Sequence, residues 1–186
     1  LGYNRTFGDF SFSANGNVSR LYNEVTYLGQ GKEFISSGAS FQSMGNITRT
    51  QVGEAMNSFY GFRHDGIFQT PEEVQSYTSA DGAVIQPNAV PGDFKWVDTN
   101  GDGSITDDDK QFIGSPIPKY TFGLNLNMNY KNWDFLVFAQ GAAGHQIFQG
   151  LRRLDILNAN YPIEALSRWT GEGTSNDYPR LTNSDS

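Results

Sequence analysis

The sequence predicts an all-β chain: an antiparallel, membrane-spanning barrel segment carrying long loops on one side and short loop helices. Three observations predict it. Residues 120 to 130 alternate without a break, with Tyr120, Phe122, Leu124, Leu126, Met128 and Tyr130 against Thr121, Gly123, Asn125, Asn127 and Asn129. Period two is the signature of a strand with two unlike faces. The run is also long, since eleven residues at ~3.4 Å each reach roughly 37 Å, and a tilt of ~40° projects that onto about 28 Å of bilayer. Finally, tyrosines close the apolar face at both ends, as interfacial aromatic girdles do, while the other face is rich in Asn and uncharged, as suits a wet lumen.

The neighbouring elements follow from this strand. Lys131-Asn132 predicts a tight turn, with Asn supplying the left-handed conformation. Beyond it Trp133, Phe135, Val137 and Ala139 continue the outward face, and Asp134, Leu136, Phe138 and Gln140 point inward. Leu136 and Phe138 are unusual for a watery interior and are expected to pack against something within it. Near the beginning, Phe10, Phe12, Ala14 and Val18 alternate with Ser11, Ser13, Asn15, Asn17 and Ser19, preceded by a strand end over 1–6 and a turn at Phe7-Gly8-Asp9. Residues 27–117 show no such alternation and are expected to be a large extracellular loop region. Within it, Thr70-Pro71-Glu72-Glu73 predicts a capped helix start. Residues 118–143 are expected to be the transmembrane hairpin and 144–186 a further outer loop, with a small helix at 163–168. The opening Leu1-Gly2-Tyr3-Asn4 and the polar end Asn183-Ser184-Asp185-Ser186 read as a piece of something longer.

Composition narrows the function. Fourteen Phe, 9 Tyr, 3 Trp and 21 Gly accompany only 18% charged residues, against roughly 25% in an average soluble domain. A net charge of −7 argues against nucleic acid, whose phosphates demand a basic face. No Cys is present, which removes disulfides, thiolate zinc sites and a Cys nucleophile. The longest apolar run, Phe135 to Ala139, is far below the ~20 residues of a spanning helix, and no signal peptide is visible.

One stretch has metal-ligand spacing. From Asp98 to Asp109, oxygen donors fall at positions 1, 3 and 5 (Asp98, Asn100, Asp102), Gly103 at 6, Ser104 at 7 and Asp109 at 12. A hard cation such as calcium needs several oxygens from one tight loop, with Gly at the bend. Asp109 replaces the usual bidentate Glu, and the shorter arm weakens the site or changes its geometry. The same letters also describe an acidic loop that folds on its own Asx turns. The flanking Asp93 to Val97 looks extended, which argues against a two-helix calcium sensor.

Catalytic signals are missing: there is no nucleophile elbow, zincin motif, P-loop or dinucleotide fingerprint. His64 and His145 read as loop residues, and Glu72 with Glu73 as helix-start charges. Asn4, Asn17 and Asn46 open glycosylation sequons by letter only. Tyr60, Phe62, Trp96 and Trp169 are candidates to stack on a ligand. They, with Phe59 and Phe68, equally suit the small cores that hold long loops together.

Several segments together resemble SusC/RagA-type TonB-linked outer-membrane proteins. They are Ser58 to Gln69, Pro91 to Gly103, Ile113-Gly114-Ser115-Pro116 with the strand after it, Phe138-Ala139-Gln140-Gly141, Arg168-Trp169-Thr170 and Tyr178-Pro179-Arg180-Leu181. The resemblance implies a C-terminal part of a 22-stranded, plugged barrel in the outer membrane of Bacteroidetes. It implies import of oligosaccharides or peptides, a SusD-like surface lipoprotein as lid, energy from the TonB complex, and no enzymatic step. An alternative reading of the residues is a secreted, calcium-stabilised, carbohydrate-binding β-sandwich, which requires Phe122, Leu124 and Leu126 to face a protein core.

Overall fold

The computed structural model describes residues 1–36, 38–151 and 160–182. The stretch 152–159 of the expected second outer loop and the polar end at 183–186 lie outside the described residues. In chain order the elements are strands β1 (Gly2–Phe7), β2 (Phe10–Arg20), β3 (Phe34–Ile35), β4 (Thr48–Gln51), β5 (Ser58–Gly61) and β6 (His64–Ile67). Helix α1 (Pro71–Ser76), β7 (Phe94–Trp96), β8 (Gln111–Gly114), β9 (Tyr120–Tyr130) and β10 (Trp133–Ala143) follow. Single 3-10 turns occupy Gln42–Met44, Asp107–Asp109 and Ile163–Ser167. The chain is all-β in class, and among the described residues no helix is long and apolar enough to cross a membrane.

The chain divides into two compact units. The first holds residues 1–34, 50–57 and 114–147, and is dominated by an antiparallel sheet in the order β1-β2-β9-β10. Its register follows the alternation seen in sequence. Phe12, Ala14 and Val18 of β2 stand opposite Met128, Leu126 and Phe122 of β9, which in turn stand opposite Phe135, Val137 and Gly141 of β10. Because side chains alternate across a strand, this in-phase pairing assembles one apolar side through the sheet and one polar side. On the polar side Asn127 Nδ2 donates to Ser13 Oγ at 3.4 Å, and Asn129 lies 3.2 Å from the Ser11 hydroxyl.

None of the six apolar β9 residues is sealed. Tyr120, Phe122, Leu124 and Tyr130 are exposed, as is Trp133 at 78%, while Leu126 and Met128 are half-buried. Leu136 and Phe138 pair with Asn127 and Asn125, so they stand on the polar side as expected, and they are 68% and 56% exposed.

Both tight turns lie at one end of this sheet, where Phe10 pairs with Tyr130 and Lys131 N donates to Asp9 O at 3.3 Å. The left-handed residue of the second turn is Lys131 (φ 52°), not Asn132. At the opposite end Arg20 pairs with Tyr120 and Leu21 N donates to Lys119 O at 2.9 Å, so everything from 21 to 119 departs from and returns to the end remote from the turns.

The second unit holds residues 35–49, 58–113 and those from 148 onward. It contains most of a small sheet in the order β3-β4-β5-β8, and the β6-β7 pair. Its core is Ile67, Phe68, Val74 and Ile85. Helix α1 starts as its sequence dictates: Thr70 accepts from Glu73 N at 3.2 Å, and Pro71 takes the first turn. The Glu73 carboxylate reaches one residue further back than a capping box requires, accepting from Gln69 N at 2.6 Å. The expected helix at 163–168 is a 3-10 turn ending at Ser167.

Candidate metal loop and ligand cleft

The loop from Asp98 to Asp109 folds around its own carboxylates. Asp98 accepts from Gly101 N at 2.7 Å and Gly103 N at 2.8 Å, Asn100 Oδ1 from Asp102 N at 2.9 Å, and Asp102 Oδ1 from Ser104 N at 2.9 Å. These are Asx turns, in which a short side chain takes the place of a backbone acceptor. Gly103 permits the bend with φ at +85°, and a Cβ there would lie 2.9 Å from Ser79 Cβ. Asn100, Asp102 and Ser104 are exposed, and Asn100 Nδ2 donates to Asp102 Oδ2 at 2.9 Å.

Asp109 behaves differently. It is completely buried, and its Oδ1 accepts from Thr99 N at 2.8 Å and Asn100 N at 3.4 Å, while Oδ2 accepts from Thr106 N at 2.7 Å. Burial pushes this carboxyl up, but the amides of Thr106, Thr99 and Asn100 outweigh it and hold the group below the ordinary carboxylate range. Thr106 and Asp109 cap the 3-10 turn reciprocally. That capping box (Thr106-Asp107-Asp108-Asp109) is legible in the sequence but was hidden there by the metal-ligand spacing.

The donor set of Asp98, Asn100, Asp102 and Ser104 is all oxygen and fits a hard cation in chemistry. In this geometry Asp109 is the loop's internal anchor. Among the described residues no group of three or more His, Asp or Glu side chains is gathered as a metal site.

The four aromatic candidates separate clearly. The Tyr60 ring is covered by the Arg49 guanidinium at 3.7 Å and meets Phe112 edge-on at 5.2 Å. Phe62 packs on Trp96 at 5.8 Å and carries Lys110 Nζ at 5.1 Å. Trp169 closes over Gly92, and its Nε1 donates to Gln69 Oε1 at 3.1 Å. All three are half-buried in these packing contacts. Trp96, stacked beside Phe94 at 5.2 Å, lines an open cleft of about 470 Å³ with Ile85, Gln86, Asn88 and Pro179.

The cleft wall is pinned by residues the sequence did not single out. Arg180 grips Asp93, with Nε to Oδ1 at 2.6 Å and Nη2 to Oδ2 at 3.3 Å, and Arg180 N donates to Gly92 O at 2.8 Å. Gln69 ties the same strap down, accepting from Trp169 Nε1 and Gly173 N and donating to Ser175 O. Tyr77 Oη donates to Trp96 O at 2.6 Å, and burial pushes this phenol up, keeping it a neutral donor. Only the spatial approach of residues 67–96 to 169–180 reveals these roles.

Comparison with known proteins decides the family. The chain is 33% identical over 181 residues, 95% of its length, to TonB-dependent receptor P3 of Formosa agariphila. It belongs to the TonB-dependent receptors. TonB-dependent receptor P26 of the same organism is 31% identical over 92% of the chain. TonB-dependent receptor SusC of Bacteroides thetaiotaomicron is 28% identical over 75% of it. The chain spans 17% of the length of each Formosa receptor and 13% of SusC, so it is a segment of a receptor. No family model matches it.

Proposed function

We propose that this segment supplies barrel wall and outer loops to a TonB-dependent nutrient importer of the outer membrane. The observation that carries the reading is the β1-β2-β9-β10 sheet, apolar over most of one side, where Arg5 and Arg20 stand nearer the two ends, and mainly polar on the other, with most of the large apolar side chains of the first side exposed. In water such a side is a liability, and in lipid it is the stable arrangement. The alternative β-sandwich is not favoured, because it needs those same residues sealed in a core. Four strands do not close a barrel, and the edges of β1 and β10 pair with strands outside this segment, in a barrel of 22 by family resemblance.

Tight turns at one end and a long excursion at the other support an orientation with the turns periplasmic and residues 27–117 and 144–186 extracellular. There they meet the cargo, an oligosaccharide or peptide, and a SusD-like lipoprotein lid. The TonB complex acts through another part of the receptor, and the segment performs no chemistry.

The segment itself carries no Cys, so single-cysteine labelling of the full-length receptor in intact cells, with any cysteine elsewhere in the receptor replaced by Ser, tests this. A membrane-impermeant maleimide should label Ala80→Cys and spare Asn132→Cys, and deletion of TonB should abolish uptake. Labelling of residue 132 but not 80 would reverse the orientation, and uptake that persists without TonB would refute the importer.

The 98–109 loop we propose as a calcium site, held by Asp98, Asn100, Asp102 and Ser104. Calcium titration of the receptor should show a site weakened in both Asp98→Ala and Asp102→Ala. Unchanged binding in both variants retires it.

A further inference from the structure

We propose that the cleft beside β7 binds a neutral sugar unit of the cargo and does not take an extended peptide; the inference rests on the importer reading above. A volume of about 470 Å³ lies within the range of roughly 300–1,000 Å³ usual for small-ligand sites. Phe94 and Trp96 contribute aromatic surface, Ile85 and Pro87 aliphatic surface, and the exposed Asn88 an amide. A pyranose presents an apolar C–H face to aromatic rings and hydroxyls to an amide, which is this combination.

Two features work against a peptide. Peptides commonly bind by adding a strand to an open sheet edge, and β7 has none to offer. One edge pairs with β6, His64 opposite Trp96 and Ile67 opposite Phe94. On the other edge the Gln86 side chain imitates a strand: its Oε1 accepts from Trp96 N at 2.8 Å and its Nε2 donates to Phe94 O at 3.1 Å. The Trp96 carbonyl is taken by the Tyr77 hydroxyl at 2.6 Å. Charge is the second feature. Among the described residues Asp93 and Arg180 are the only charged ones lining the cleft, and they neutralise one another at 2.6 Å. Peptide termini and ionised side chains therefore find no partner there, nor do acidic sugars.

The test uses the full-length receptor in detergent on an array of neutral hexasaccharides (maltohexaose, xylohexaose, mannohexaose), hexagalacturonate, hexa-alanine and Gly-Gly-Lys-Gly-Gly-Glu. Binding of at least one neutral hexasaccharide is expected, weakened roughly tenfold or more by Trp96→Ala, as for an aromatic anchor. Asn88→Asp should weaken it several-fold, while Tyr60→Leu should bind almost as the parent does. Asn88→Asp keeps the test valid if Trp96→Ala fails to fold. Preference for either peptide or for hexagalacturonate, no binding to any neutral hexasaccharide, or hexasaccharide binding indifferent to Trp96 and Asn88 would overturn the proposal. The array reads binding without TonB, so its failure alongside intact TonB-dependent uptake refutes the cleft alone.

Discussion

Leu126→Arg is the most direct test of the two-sided sheet. Leu126 stands between Ala14 of β2 and Val137 of β10, one residue past the middle of the eleven-residue strand β9. With ~3.4 Å per residue and a tilt of ~40°, its Cα lies about 3 Å from the strand's mid-depth. An arginine on the lipid face at that depth costs about 2–4 kcal/mol, which is roughly a 30- to 700-fold loss in the folding equilibrium. Asn127, one residue on, pairs with Ser13 and Leu136 on the polar side, and Asn127→Arg should stay within about 0.5 kcal/mol. The assay is urea unfolding of the full-length receptor in phospholipid bilayers, followed by tryptophan fluorescence. Equal midpoints for the two variants, or a larger loss from Asn127→Arg, would refute the assignment of faces.

Three smaller tests probe the loops and turns. Asp109 has a depressed pKa in the fold, so its charge stabilises the 98–109 loop above the unfolded value of ~3.9, and that contribution is lost as pH falls through the lower folded value. The extra hydrogen-exchange protection of the Thr99 and Thr106 amides over that in Asp109→Asn should accordingly shrink as the solution is acidified; a difference that grew with acidification would contradict the sign. Gly92 has φ at +94°, and a Cβ there would stand 2.6 Å from Trp169 Cε3 and 2.9 Å from Arg180 Cβ. Gly92→Ala should therefore cost about 1–3 kcal/mol and hasten proteolysis at 169–180, whereas unchanged cleavage would show that the strap is not seated as described. Lys131 occupies the left-handed region at φ 52°, so Lys131→Gly should be neutral or gain up to about 1 kcal/mol in bilayer unfolding, and a clear loss would mean the side chain matters more than the backbone.

The long two-faced strands were legible from the order of residues because strand period is local. Tyr120 to Tyr130 announces its two faces without reference to any partner, and the capped start at Thr70-Pro71 is likewise complete within four residues. Oxygen spacing also marked the 98–109 loop, yet that spacing did not reveal which way Asp109 turns. A carboxylate at position 12 suits a cation and a capped turn equally, and only the fold shows that it is buried against the amides of Thr99, Asn100 and Thr106. Residues 27–117 looked featureless because β3 to β8 are two to four residues long, too short for a period to show.

The sequence alone determined the all-β class, the two faces of the long strands and the acidic loop, since each is written in contiguous side chains. Only the tertiary structure decided that β2 lies beside β9, that Tyr60, Phe62 and Trp169 are spent on packing while Trp96 borders a cleft, and that Arg180 clasps Asp93. Those contacts join residues tens of positions apart in the chain, and backbone folding brings them together where no local pattern records them.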